Sequence, residues 1–288
     1  DTRSKRGKGV RRRVEPSISA LPGNWQDFLR IDDNKTELFS FLASSVADID
    51  TNKHLITTQG TGVLCSNRQD VSDLAPCTHE EADTRILLHL QNAVQQGYSK
   101  VSICTVYTDV VVLAIASANR LNISELWIAF GAGKSFRFIA AHEIAKALGP
   151  DRCVALPMFH AFTGCDTVSC FGGRGKKTAW DTWTTYGDVT HHVSGDEMFV
   201  GVNDLMPCLE NLVPVKEDLS THTVQDGAGI INMLRPGTAK TFQGYATDGL
   251  RAVCHIPASA CRQTRYCLGS VHGRQLEGGH SQQERKGS

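Results

Sequence analysis

The sequence has no run of 18 apolar residues, so no membrane-spanning helix is expected. It has no Cys-x-x-Cys pair, and the group Cys254, His255, Cys261 and Cys267 does not match a zinc spacing. Its 10 cysteines are scattered over 288 residues, which argues against a disulfide scaffold and for a reducing compartment. Cys104, Cys165 and Cys170 sit among apolar residues and read as small buried hydrophobes. An excess of charge is also missing, because 30 Lys and Arg offset 30 Asp and Glu. Any affinity for nucleic acid must therefore come from local patches. No signal-peptide pattern follows Asp1, and a start inside a basic run without Met reads as a piece of a longer chain. What remains is an ordinary globular composition, 41% hydrophobic and 21% charged, long enough for one or two domains with a sizeable core.

Residues 1–24 read as a basic arm and loop. Arg3, Lys5, Arg6, Lys8, Arg11, Arg12 and Arg13 suit either a solvated arm or a phosphate-contacting or nuclear-import segment. From residue 25 the apolar spacing becomes regular. Leu38, Phe39, Phe41, Leu42 and Val46 predict an amphipathic helix over 34–49, and residues 54–66 read as a strand or hairpin. Helices are predicted over 78–96, 110–118, 140–148 and 153–163, with short apolar strands at 101–106 and 125–130 between them. Such alternation argues for an α/β domain with a mainly parallel sheet over 25–189. Past 189 the pattern decays; 205–212 suits a short helix, and 190–288 is expected to be an irregular, divergent tail.

Carboxylates gather where these helices and strands meet. Glu80, Glu81 and Asp83 open the 78–96 helix, where Thr78 and Glu81 also fit a capping box that leaves Asp83 unexplained. Asp109 follows the 101–106 strand, either as a cap for the next helix or at the carboxyl edge where open α/β sheets bind ligands. Asp166 follows the 153–163 helix with no clear helix to cap. Four acids from three segments could converge on Mg²⁺, a hard ion suited to carboxylates, and phosphodiester hydrolysis commonly uses two such ions about 4 Å apart.

Next comes "GGRGKKTAW". Glycines let backbone N–H groups approach a phosphate, and Arg174, Lys176 and Lys177 would add contacts to a nucleic-acid backbone without base specificity. Without Asp166 nearby, a solvated surface loop is the stronger reading. "ELWIAFGAGKS" ends like a P-loop but has Ile128 where that motif needs glycine. His79, His89, His142 and His160 read as core or boundary polar groups, and Trp180 and Trp183 as packing residues.

The order "EEAD", strand–"YTD"–apolar helix, "GCD", "GGRGKKTA" resembles the PIN-like domain of the flap endonuclease and XPG nuclease family. There a helix opening E-A-E precedes a strand ending D-x-D, followed by G-x-D and G-x-G-x-K-x-A. By position Glu81 and Asp83 match the helix acids, Asp109 the second aspartate of D-x-D, and Asp166 the aspartate of G-x-D. Gly173, Gly175, Lys177 and Ala179 match the glycine–lysine motif, and the likeness spans residues 78–180.

The resemblance implies a three-layer α/β fold with a central mainly parallel sheet flanked by helices. It implies Mg²⁺ or Mn²⁺ held by Glu81, Asp83, Asp109 and Asp166 as catalytic metal ligands. It also implies a nucleic-acid partner, DNA ahead of RNA, gripped by Gly173, Arg174, Gly175, Lys176 and Lys177, in an intracellular, nuclear setting. Tyr107 departs from the pattern, standing where the family has the first aspartate of D-x-D. The family's N-terminal acid-bearing strands would lie before Asp1, and residues past 189 do not match it. Two expectations follow: a metal-dependent nuclease, or a non-catalytic nucleic-acid-binding or interaction module derived from one.

Overall fold

The computed structural model describes residues 11–50, 54–66, 71–77, 82–121, 123–164, 176–185, 205–213, 222–254 and 263–267. Helices α1 (Trp25–Leu29) and α2 (Asp32–Ala47) precede a hairpin of β1 (His54–Gln59) and β2 (Gly62–Cys65). Then come α3 (Ala82–Gln95), β3 (Lys100–Thr105), α4 (Thr108–Ala118), β4 (Glu125–Phe130) and β5 (Arg137–Ala140). Three helices follow, α5 (Ala141–Leu148), α6 (Pro150–Phe162) and α7 (Lys176–Thr185). Beyond residue 189 lie α8 (Met206–Glu210), β6 (His222–Asp226), α9 (Gly227–Met233), α10 (Phe242–Cys254) and β7 (Gln263–Cys267).

The described strands form one mixed sheet in the order β2-β1-β7-β6-β3-β4-β5. Its inner pairs, β1–β7, β7–β6, β6–β3 and β3–β4, are parallel, and the edge strands β2 and β5 run antiparallel. Apolar runs such as "ELWIAF" suit strands covered on both faces, and β4 is buried along nearly its whole length. The β4–β5 connection turns at Gly131, whose φ is +86°; a Cβ there would lie 2.8 Å from the Ser135 carbonyl oxygen. Only glycine takes that conformation without strain.

Register separates two cores. Ile56, Val224 and Ile103 are level across the sheet, and Leu55, Thr223 and Ser102 are the neighbouring level. Successive residues of a strand face opposite sides. Ile103 and Val224 pack with Ile86 and Leu90 of α3, Val111 and Ile115 of α4, and residues of α5 to α8. Leu55 packs with Phe28, Leu38, Leu42, Ile230 and Phe242 of α1, α2, α9 and α10. The sheet thus lies between two helical layers, a mixed α/β fold. Each large side chain buried in these cores contributes roughly 1.5–3 kcal/mol.

Most expected elements between 25 and 189 form within a few residues of their predicted bounds. α6 begins at Pro150, three residues before the expected 153, because proline suits the first turn of a helix. Two expectations change. The expected irregular tail contains β6 and β7, which sit in the interior of the sheet. The basic arm, read as either solvated or phosphate-contacting, is docked onto the fold from residue 11: Arg11 pairs with Glu37, and Asn34 Oδ1 accepts from Arg11 Nη1 and the Arg12 backbone N–H, each at 3.0 Å. Farther along, the Leu21 backbone N–H donates to the Lys240 carbonyl and the Gln243 N–H to the Pro16 carbonyl. Hydrophobic burial of α9 and α10 against α1 and α2 draws both terminal regions into one body. Among the described residues no helix is long and apolar enough to cross a membrane.

Candidate functional site at the carboxyl edge of the sheet

The chain leaves adjacent strands β3 and β6 in opposite directions. From β3 it runs through α4 to β4; from β6 it runs through α9 and α10 to β7 on the other side. The two connections pack into different cores, so they diverge at the carboxyl ends of β3 and β6. Such a switch point is where open α/β sheets leave a crevice for ligands.

Thr105 closes β3 and Asp226 closes β6, both on the α3–α4 face by the register above. Thr105 Oγ1 donates to Asp226 Oδ2 at 2.9 Å and accepts from the Tyr107 backbone N–H at 3.1 Å. Asp226 is buried and caps α9, its Oδ1 accepting from Gly229 N–H at 3.0 Å. A Cβ at Gly229 would lie 2.8 Å from Asp226 Oδ2, so the close approach needs glycine. Tyr107 supplies the backbone cap position of α4 without a side-chain cap bond.

In the first turn of α4, Asp109 meets a chain of side chains from two other helices. His160 of α6 places Nε2 2.6 Å from Asp109 Oδ1, and Lys176 at the start of α7 places Nζ 3.0 Å from His160 Nδ1. A lysine ammonium has only donors, so Nδ1 accepts and the ring proton sits on Nε2, which donates to the carboxylate. The two inner members are equally buried, His160 and Lys176 at 6% each, while the Asp109 side chain is 36% exposed. The hydrogen bond from His160 holds the Asp109 carboxyl below the usual carboxylate range; burial opposes this, and the charge of Lys176 assists it. Asp109 is therefore an ionised carboxylate with one oxygen committed to His160.

Of the four expected metal-binding acids, Asp83 and Asp109 are described; Glu81 and Asp166 lie outside the described residues, as do Gly173, Arg174 and Gly175. Asp83 sits half-buried in the first turn of α3. Among the described residues no group of three His, Cys, Asp or Glu side chains is placed to hold a metal ion. Lys176 departs from its expected role: it is buried against His160 and does not present its ammonium to a passing backbone. Lys177 is the exposed neighbour, 70% open and paired with Asp181 at 2.6 Å.

Gly133–Ser135 forms a short 3-10 turn leading into β5, where a P-loop would open a helix. His142 binds the Leu126 backbone and meets the Trp127 ring edge-on, a boundary role. Trp180 and Trp183 pack on Phe159, with the Trp183–Phe159 rings stacked at 4.7 Å. Burial pushes the Cys153 thiol up to about 11, as expected for an inert buried cysteine. Sequence reasoning missed Asp226 and the link through His160. The first had a legible trace, an acid closing a strand-like segment before "GAG". The second had none, because its three members lie on separate helices.

Comparison with protein-family models, curated proteins and solved structures finds no match.

Proposed function

We propose that this chain carries a PIN-like, nuclease-type domain that engages a nucleic-acid phosphodiester backbone at the carboxyl edge between β3 and β6. The observation that carries the reading is the seat of Asp109, an ionised and partly exposed carboxylate beside the topological switch point. Supporting it, Asp83 and Asp109 belong to an ordered set of motifs resembling those of flap endonuclease-type proteins. Exposed Lys177 supplies a cation for backbone contact on the helix that follows the glycine segment.

A bound Mg²⁺ or Mn²⁺ would supply Lewis-acid activation of water and charge stabilisation on the scissile phosphate. The described residues do not by themselves make such a site, since they offer no three-ligand group. The roles of this chain's own residues are narrower: Asp109 presents a fixed negative charge, His160 holds its orientation, and Lys177 faces the ligand.

Two observations favour a second reading, a binding module without hydrolysis. Asp109 Oδ1 is already taken by His160, and Tyr107 occupies the position of a family aspartate. A single assay separates the two. Labelled single-stranded, hairpin and flap DNA, with matched RNA, is incubated with the chain in Mg²⁺, Mn²⁺ or a chelator. The nuclease reading expects ion-dependent cleavage that falls to background in Asp109→Asn. Tight binding without cleavage supports the module, and neither binding nor cleavage overturns both.

A further inference from the structure

The buried end of the Asp109–His160–Lys176 chain needs its own explanation. Burying an ammonium is costly, and an apolar side chain at 176 would spare that cost. Lys176 is nevertheless buried beside Trp180 and Trp183 on the same helix, with Nζ on the ring of His160. Its sequence neighbour Lys177 projects roughly 100° around the helix axis and stays in solvent. Adjacent lysines have thus been divided between an interior task and a surface one.

We propose that His160 and Lys176 are positioning residues: a strut from the start of α7 through α6 that sets the Asp109 carboxylate relative to exposed Lys177 on the same helix, the cation that would meet a nucleic-acid backbone. Three helices distant in sequence contribute one member each, and both ring nitrogens of His160 are engaged, so the imidazole has a single orientation. A shift of α7 moves Lys176 and hence His160, and the carboxylate follows. Lys177 does not belong to the strut and contacts the ligand directly. The functional half of this proposal rests on the nucleic-acid reading above; the strut itself does not.

The test has two arms. In the first, the full chain with ¹⁵N-labelled histidine is examined by NMR. His160 should carry its proton on Nε2, and both Asp109→Asn and Lys176→Met should shift its nitrogen resonances. The opposite tautomer, or resonances unmoved by Lys176→Met, overturns the strut. In the second arm, binding and cleavage of a fluorescent hairpin DNA are measured. His160→Phe and Lys176→Met should each lower kcat about 10-fold with KM little changed, the loss typical of a group that orients a site residue. Together they should lose no more than either alone, and His160→Gln should recover most of the rate. Lys177→Ala should instead weaken binding. Additive losses, or His160→Phe at the wild-type rate, overturn the positioning role. If His160→Phe does not fold, Lys176→Met and His160→Gln carry the comparison. If the wild type neither binds nor cleaves, the nucleic-acid reading fails and with it the positioning role, while the NMR arm still decides the strut.

Discussion

At Asn34 a single fully buried amide joins three segments: its Oδ1 accepts from the arm at Arg11 and Arg12, and its Nδ2 donates to the Phe28 carbonyl at 3.0 Å. Asn34→Leu removes all three of these hydrogen bonds, although Arg11 keeps Glu37 and the Phe28 carbonyl keeps the Ile31 N–H, so unfolding free energy should fall by about 2 kcal/mol. Urea melts would measure the loss, and faster protease nicking at Arg11–Arg13 would show that the arm has loosened. Asp109 gives a pH signature. Its folded pKa lies below its unfolded value, so its contribution is present above about pH 3.9 and is lost as pH falls through the folded pKa. Asp109→Asn should flatten the acid side of the urea-midpoint profile; an unchanged slope below pH 4 would contradict the assignment. Legibility at this scale was uneven. Asp109 could be read from its place after a strand. Lys176 could not, because side chains adjacent in sequence diverge on a helix and a cation run reads as one solvated patch.

Short elements were recognisable where their own residues carried the pattern. β4, a six-residue run buried on both faces, and α4, apolar nearly all round and packed among α3, α5 and α6, declare themselves by composition. β6 does not: His222, Thr223, Gln225 and Asp226 are polar yet buried, and their setting comes from distant strands. The end of β6 is also its most sensitive point. Asp226→Ala removes the α9 cap and the partner of Thr105 together, and should cost about 2 kcal/mol. Asp226→Asn can still cap the helix and should cost clearly less, a contrast that thermal melts of the two variants would reveal. Equal losses would mean that the cap contributes little. On the same edge of the sheet, just after β4, Gly131→Ala should destabilise by more than about 1 kcal/mol, because its positive φ and the nearby Ser135 carbonyl both oppose a Cβ.

For the whole molecule, the alternating pattern between 25 and 189 disclosed an α/β sheet but not its extent. Composition past 189 suggested a boundary, yet β6 and β7 join the hairpin side of the sheet to the β3–β5 side. A chain ending at residue 189 should therefore lack a cooperative melt and bind a hydrophobic dye. A sharp two-state transition for that fragment would restore the boundary.

The central position of β6 also governs the order of events in folding. Thr105 must wait for a partner 121 residues later in the chain. Until that partner is made, one edge of β3 has no strand beside it, while β4 can already occupy the other. Long-range parallel pairing is slow, because loop closure comes before the contacts that reward it. A nascent chain stalled before β6 would thus expose an open, apolar strand edge, the kind of surface that chaperones shield and that neighbouring chains invade.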